Sequence, residues 1–298
     1  MRRTTAILLG LLGLLCALSL MAAQRLYVDV NLTMLRAYVV DERGDAVLDL
    51  AADDFKLLEN GRPVPISHFS LSAGTAEIGF LADTSLGAAP VKEDLKQTVG
   101  QFVRMMNGDR AFLMTFAGDT ERVVPPTYDL AAITKALANM KSSAGTRFND
   151  AVLRALDQLA VSKRERKALI ILTTGADHRS AHAFEQVLRT AKLYGYEIYI
   201  IGYPGDESRT WSKSMPSEIR SEFFQLASVS GGQVFFPANA LESSRIARKV
   251  LNSLHHEYRF GFYSSHAFDE PSEVSVQIRG ERGKHLYVRS SLIEAPLP

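Results

Sequence analysis

Cysteine is almost missing from this chain: Cys16 is the only one among 298 residues, and it sits inside an apolar stretch near the start. If that stretch is removed, no disulfide can form, and the folded chain rests on its core alone. Charge of one sign is also missing. The formal net charge is +1, and loss of Arg2 and Arg3 with the leader makes it −1. That leaves no excess to attract nucleic acid or an anionic membrane, so both are disfavoured as partners. The apolar run from Ala6 to Leu20 falls short of the about 20 residues that a spanning helix needs, which leaves no membrane span expected in the mature chain.

Catalytic signatures are missing as well. No Gly-x-Ser-x-Gly elbow, phosphate-binding Walker loop or Gly-x-Gly-x-x-Gly follows a strand, so nucleophilic and nucleotide chemistry have no anchor. The seven histidines show no His-Glu-x-x-His spacing, and His255 and His256 are adjacent, which points them apart if the helix continues there. An enzyme, for example a hydrolase, is therefore the weakest reading, and no catalytic residue and no required cofactor are assigned.

What is present is a globular composition, 46% hydrophobic and 22% charged. Arg2-Arg3, the apolar run and Ala22-Ala23 read as a secretory signal peptide over residues 1–23, cleaved near Ala23. Leu14-Leu15 precede Cys16, where a lipidated cysteine needs small residues. The expected location is therefore periplasmic, cell-surface or secreted.

Residues 24–73 read as a small β segment. Leu35, Tyr38, Val39 and Val40 lie in β-rich runs, and Glu59-Asn60-Gly61 is a hairpin signal because Asn-Gly accepts positive φ. Over residues 74–254 strands alternate with amphipathic helices, which predicts a doubly wound, mainly parallel sheet of six strands. The strands begin with Ile78 to Ala82 and Arg110 to Phe116, with Glu121 to Val124 as a hairpin partner. Ala168 to Thr173, Glu197 to Gly202 and Gln233 to Phe236 follow. Helices are predicted from Val91 to Met106, from N-cap Asp129 through Met140, from Asp150 to Val161, and over Ala181 to Leu193, Ser217 to Ser230 and Leu241 to Leu254. Residues 255–298 return to period two. A lone hairpin is marginal in water, so these strands are expected to pair with the N-terminal ones in one β subdomain interrupted by the α/β domain.

In open parallel sheets ligands bind beyond the carboxyl ends of the strands, which directs attention to the loop Asp83-Thr84-Ser85-Leu86-Gly87. There the sequence resembles the von Willebrand factor A domain, whose first strand ends in Asp-x-Ser-x-Ser. Asp83 and Ser85 match, and Gly87 takes the place of the second serine. Gly145-Thr146-Arg147-Phe148-Asn149-Asp150-Ala151 is similar to the second family segment. Leu172-Thr173-Thr174-Gly175-Ala176-Asp177 is similar to the third, with Thr174 where the metal-linked Asp stands. Val39-Val40-Asp41, Asp54-Phe55, Glu59-Asn60-Gly61 and Gly261-Phe262-Tyr263 extend the resemblance to a bacterial, acidobacterial-type branch of the family.

The resemblance implies a binding module for another protein or an envelope or extracellular component, with Asp83, Ser85 and Thr146 as remnants of a Mg²⁺ or Mn²⁺ site. Magnesium asks for near-octahedral oxygen ligation and for carboxylates that orient its waters. With one matching carboxylate and two hydroxyls left, the expected mode is metal-independent. In that mode Asp83 and Ser85 accept backbone N–H groups of the following loop, Thr174 is a turn residue, and Asp150 favours its helix N-terminus. The competing expectation is a metal-dependent adhesin-like module, completed by Asp177 or by a ligand carboxylate. Thr84, Gly87, Asp150, Thr174 and Asp177 line the candidate loops. The long polar segment from Pro204 to Pro216 adds Trp211 as a candidate contact.

Overall fold

The computed structural model describes residues 32–42, 45–175, 177–203, 215–264 and 272–293. The signal peptide and Trp211 lie outside the described residues.

The central strands follow from runs of apolar residues. β5 (Glu77–Asp83) is buried along its whole length and lies between β6 (Arg110–Phe116) and β8 (Lys167–Thr173), parallel to both. Beyond β8 come β9 (Glu197–Gly202) and the short β10 (Val234–Phe235), again parallel. On the other side β7 (Thr120–Thr127) pairs antiparallel with β6 and closes the six-stranded order β10-β9-β8-β5-β6-β7.

Because side chains alternate along a strand, β5 feeds two cores. Ile78, Phe80 and Ala82 pack under α1 (Lys92–Met105), α2 (Leu130–Ala138) and α6 (Ala240–His255). Leu81 packs with Phe112 under α3 (Phe148–Ala160), α4 (Phe184–Tyr194) and α5 (Ser217–Ser230). Each fully buried Leu, Ile or Phe contributes about 1.5–3 kcal/mol, so these two layers hold the domain together without a disulfide.

Several element ends differ from expectation. α4 begins at Phe184 instead of Ala181, and the N–H groups of Ala181 and His182 ahead of it bond the Asp150 carboxylate at 3.0–3.1 Å. α2 stops at Ala138, two residues short of Met140, and its N-cap Asp129 makes no side-chain cap bond. α6 ends at His255, so His256 opens a strand and the two histidines belong to different elements.

The flanking segments form two antiparallel sheets. β1 (Leu32–Asp41) pairs with β11 (His256–Tyr263) and β13 (Leu286–Ile293), and β11 pairs with β4 (His68–Ala73). The second sheet joins β12 (Val274–Ile278), β2 (Phe55–Glu59) and β3 (Arg62–Val64). At the β2 to β3 turn Asn60 and Gly61 both take positive φ, 48° and 77°, as the hairpin requires. Phe55 joins the sheets, with ring centroids 5.0 Å from Tyr258 and 4.9 Å from Phe260. N- and C-terminal strands thus share one β sandwich.

The sandwich attaches where the central strands begin. Arg166, just before β8 and only 6% exposed, donates to the carbonyls of Ser72 and His255 at 3.0 and 2.6 Å, and lies 3.4 Å from Glu257. His255 Nε2 lies 2.9 Å from buried Asp109, which also accepts the Ala76 N–H at 2.8 Å. Arg36 of β1 donates to the Gly195 carbonyl, just ahead of β9. The opposite end of the sheet, where the strands finish, is therefore free of the sandwich.

Candidate functional site

Three loops meet at that opposite end. The loop after β5 is stitched to its neighbours by main-chain bonds: Thr84 N–H donates to the Phe116 carbonyl at 2.8 Å, and Leu86 N–H and Ser143 N–H bond Ser143 and Thr84 carbonyls at 3.0 Å. The second loop is drawn to the first by a Ser85–Ser143 bridge and to the β6 to β7 turn by Arg147 N–H donating to the Ala117 carbonyl at 2.9 Å. Gly145, at φ 89°, makes this approach possible, since a Cβ there would lie 3.0 Å from the Gly118 Cα. The third loop is held by His178 and Arg179 N–H groups, both 3.1 Å from the Thr146 carbonyl.

Asp83 is 1% exposed at the centre of this arrangement. Its Oδ1 accepts the Ser85 N–H at 2.9 Å. Its Oδ2 accepts the Thr173 hydroxyl at 2.9 Å, the Thr174 hydroxyl at 3.1 Å and the Thr174 N–H at 3.2 Å. An ionised carboxylate offers about four acceptor sites, two on each oxygen, so the three donors on Oδ2 fill that oxygen while Oδ1 takes one. Thr174 is thus a direct donor to the buried charge, a role beyond that of a turn residue.

The other expected residues divide into two groups. Ser85 and Thr146 are buried at 3% and 5% on the same edge, and Ser85 is the N-cap position of a short 3₁₀ turn over Leu86–Val91 without a side-chain cap bond. Thr84 turns its hydroxyl to the Phe116 carbonyl at 3.0 Å. Gly87 is exposed, and a Cβ there would meet only Ser85 Oγ, at 3.7 Å.

Asp150 and Asp177 are engaged in a reciprocal exchange. Asp177 Oδ2 accepts the Asn149 N–H at 2.9 Å and Ser180 Oγ accepts the Asp150 N–H at 3.2 Å, which serves the open N-terminus of α3. In return Asp150 accepts the N–H groups of Ala181 and His182 and lies 2.8 Å from the His182 ring. Burial raises the Asp150 carboxyl, but the Ala181 N–H, the His182 ring and the His182 N–H outweigh it and hold it below the ordinary value.

Sequence reasoning passed over Arg147, His178 and Arg179, which cluster about Thr146 with exposed side chains. The available signal was the basic residue next to each motif position.

The family model described as the von Willebrand factor type A domain matches residues 77–237, more than half of the chain. An uncharacterised protein of Borreliella burgdorferi is 26% identical over 202 residues, covering 64% of this chain, and the chain spans 57% of that relative's length. Among solved structures, a von Willebrand factor type A protein from Catenulispora acidiphila superposes with a TM-score of 0.52 at 10% identity, covering 80% of this chain and 71% of that one. An aerotolerance-related membrane protein from Bacteroides fragilis gives 0.49 at 17% identity, covering 61% of this chain and 98% of that one. The chain belongs to the von Willebrand factor type A domain family.

Proposed function

We propose that this is an exported, non-enzymatic protein-binding module that presents the loops at the carboxyl edge of its sheet and works without a bound metal ion. The observation that carries the metal-free reading is the replacement of the second carboxylate: Thr174 stands in its place and donates its hydroxyl and N–H to Asp83, which also accepts the Thr173 hydroxyl and the Ser85 N–H. The residues therefore do not fit the family's ion. A Mg²⁺ ion at this edge needs hard oxygen ligands and oriented waters, and the second carboxylate is replaced by a hydroxyl that donates to the first. Asp177 is turned to the loop itself, where its oxygens accept three N–H groups of the third loop and α3.

The binding role is supported by the placement of the loops away from the sandwich and by family membership. Export rests on the first 23 residues. Among the described residues no helix is long and apolar enough to cross a membrane.

The test is capture of a partner from the native envelope on the immobilised protein, washed with chelator or with Mg²⁺. The same partner is expected under both washes, and loss of it on Gly87→Arg, which blocks the exposed rim. Elution by chelator, or retention by the blocked variant, contradicts the proposal.

A further inference from the structure

We propose that the groove between α3 and α4 is a second binding site, one that takes a neutral oligosaccharide through its hydroxyl groups. It opens next to the loop edge, runs down the flank of the domain, and receives a ligand of a different class from a protein partner.

The groove follows from the spacing of polar residues. α3 turns Ala151, Val152, Ala155, Leu156 and Leu159 to the core, and α4 turns Val187 and Ala191 there. The flank left over carries Asp150, Arg154 and Asp157 on α3 and Gln186, Thr190 and Tyr194 on α4, at helical spacings of three and four residues. These two rows line a cavity of about 400 Å³, within the range of small-molecule sites. Asp150 and Asp157 stand two turns apart, about 10 Å along the helix, which gives room for two linked sugar rings.

The lining does not suit an ion. Asp150 accepts the Ala181 and His182 N–H groups and lies 2.8 Å from the His182 ring, with Arg147 at 3.9 Å. Asp119 lies 3.7 Å from Arg154, and Asp157 accepts the Tyr194 hydroxyl at 2.9 Å. Each charge thus has a partner within the groove, and a free ion of either sign finds no unopposed countercharge. A hydroxyl has one donor and two acceptor lone pairs, so it can serve a carboxylate and a guanidinium at once.

Hydrogen-bonding capacity remains for such a ligand. Arg154 uses one N–H, on the Thr120 carbonyl at 3.1 Å, and its side chain is 61% exposed. Its contact with Asp119 is long and exposed, hence weak, and yields readily to a hydroxyl. Among the described residues Asp157 Oδ2 and the side chains of Gln186 and Thr190 have no hydrogen-bond partner. The apolar face of a sugar ring finds Leu193, 71% exposed, beside Tyr194. The Tyr194 ring is fixed by its bond to Asp157 and by stacking on Tyr196, centroids 5.4 Å apart. A receptor group already held in place loses little freedom on binding.

The test is an array of neutral hexose and N-acetylhexosamine oligomers beside uronic-acid and sulfated ones, probed with the fluorescently labelled full chain. Calorimetric titration with the neutral oligomer retained most then gives the affinity. Expected are retention of neutral oligomers, saturable heat, and at least a tenfold loss of affinity in the double variant R154A/Q186A with an unchanged melting profile. Thr190→Trp, which fills the groove from the α4 side, should lose binding to the same degree. Retention of no neutral oligomer overturns the proposal, as does retention of the anionic ones alone. Affinity unchanged in both variants places the sugar elsewhere and overturns the assignment of the groove.

Discussion

Asp83 carries a buried charge that this chain compensates with hydrogen bonds from its own backbone and hydroxyls. Replacement by Ala leaves two hydroxyls and two N–H groups without their acceptor, and unmade buried bonds cost about 1–3 kcal/mol each in the worst case. Asp83→Ala should therefore lower unfolding free energy by about 3 kcal/mol, measured by urea denaturation with unchanged slope. A loss under 0.5 kcal/mol would show the carboxylate to be uncompensated.

Installing the two missing family residues makes the opposite prediction. There is room for a serine at Gly87, and Thr174→Asp sets a second carboxylate against the first. The variant G87S/T174D should be less stable than the parent without metal, because like charges are brought together. It should gain melting temperature as Mn²⁺ is added, by mass action, and the absence of that gain would show that more than these two positions had been lost. At this scale the loop positions were legible from the motif. The donors that fill Asp83 were not, since Thr173 ranks as an ordinary strand residue until its hydroxyl is placed.

Between elements, the exchange of α3 with the third loop sets how firmly the edge is built. The sign of its pH dependence follows from the depressed Asp150 carboxyl. Its stabilisation is complete above the unfolded value of 3.8 and is lost as pH falls through the lower folded value. Asp150→Asn should thus be less stable than the parent at pH 7, with the gap shrinking as both are titrated below pH 3.8 in a urea series. A gap constant across that range would assign the effect to packing.

Strand and helix types were readable because apolar runs and helical periods are strong signals: β5 through β9 stand where alternation and burial put them. The start of α4 was not readable. Ala181 favours a helix by propensity, and its bond to Asp150, 31 residues back in the chain, is a long-range contact that no local pattern carries.

For the whole molecule, the sandwich and the α/β domain are joined at one pole through Arg166, whose guanidinium reaches main-chain carbonyls on both connecting segments. In the charged run Lys163-Arg164-Glu165-Arg166-Lys167 nothing local marks Arg166 as the one member that is buried. Pairing of the two ends of the chain was legible because neither set of strands is stable alone.

Arg166→Met strands Glu257 and several carbonyls, and breaking a buried pair costs about 3–5 kcal/mol. It should lower stability by about 3 kcal/mol, less what Arg259 retains of Glu257, at 2.6 Å. Limited proteolysis should then cut first between residues 73 and 77. Resistance there equal to the parent would contradict a joining role.

The central claim is that the edge opposite this junction binds without an ion because Asp83 is engaged by donors of its own chain and Thr174 replaces the second carboxylate. Calorimetric titration of the full chain with Mg²⁺ and Mn²⁺, beside Asp83→Ala, addresses it directly. The account predicts no saturable heat in either protein at millimolar metal. Saturable binding in the parent that vanishes in Asp83→Ala would contradict it.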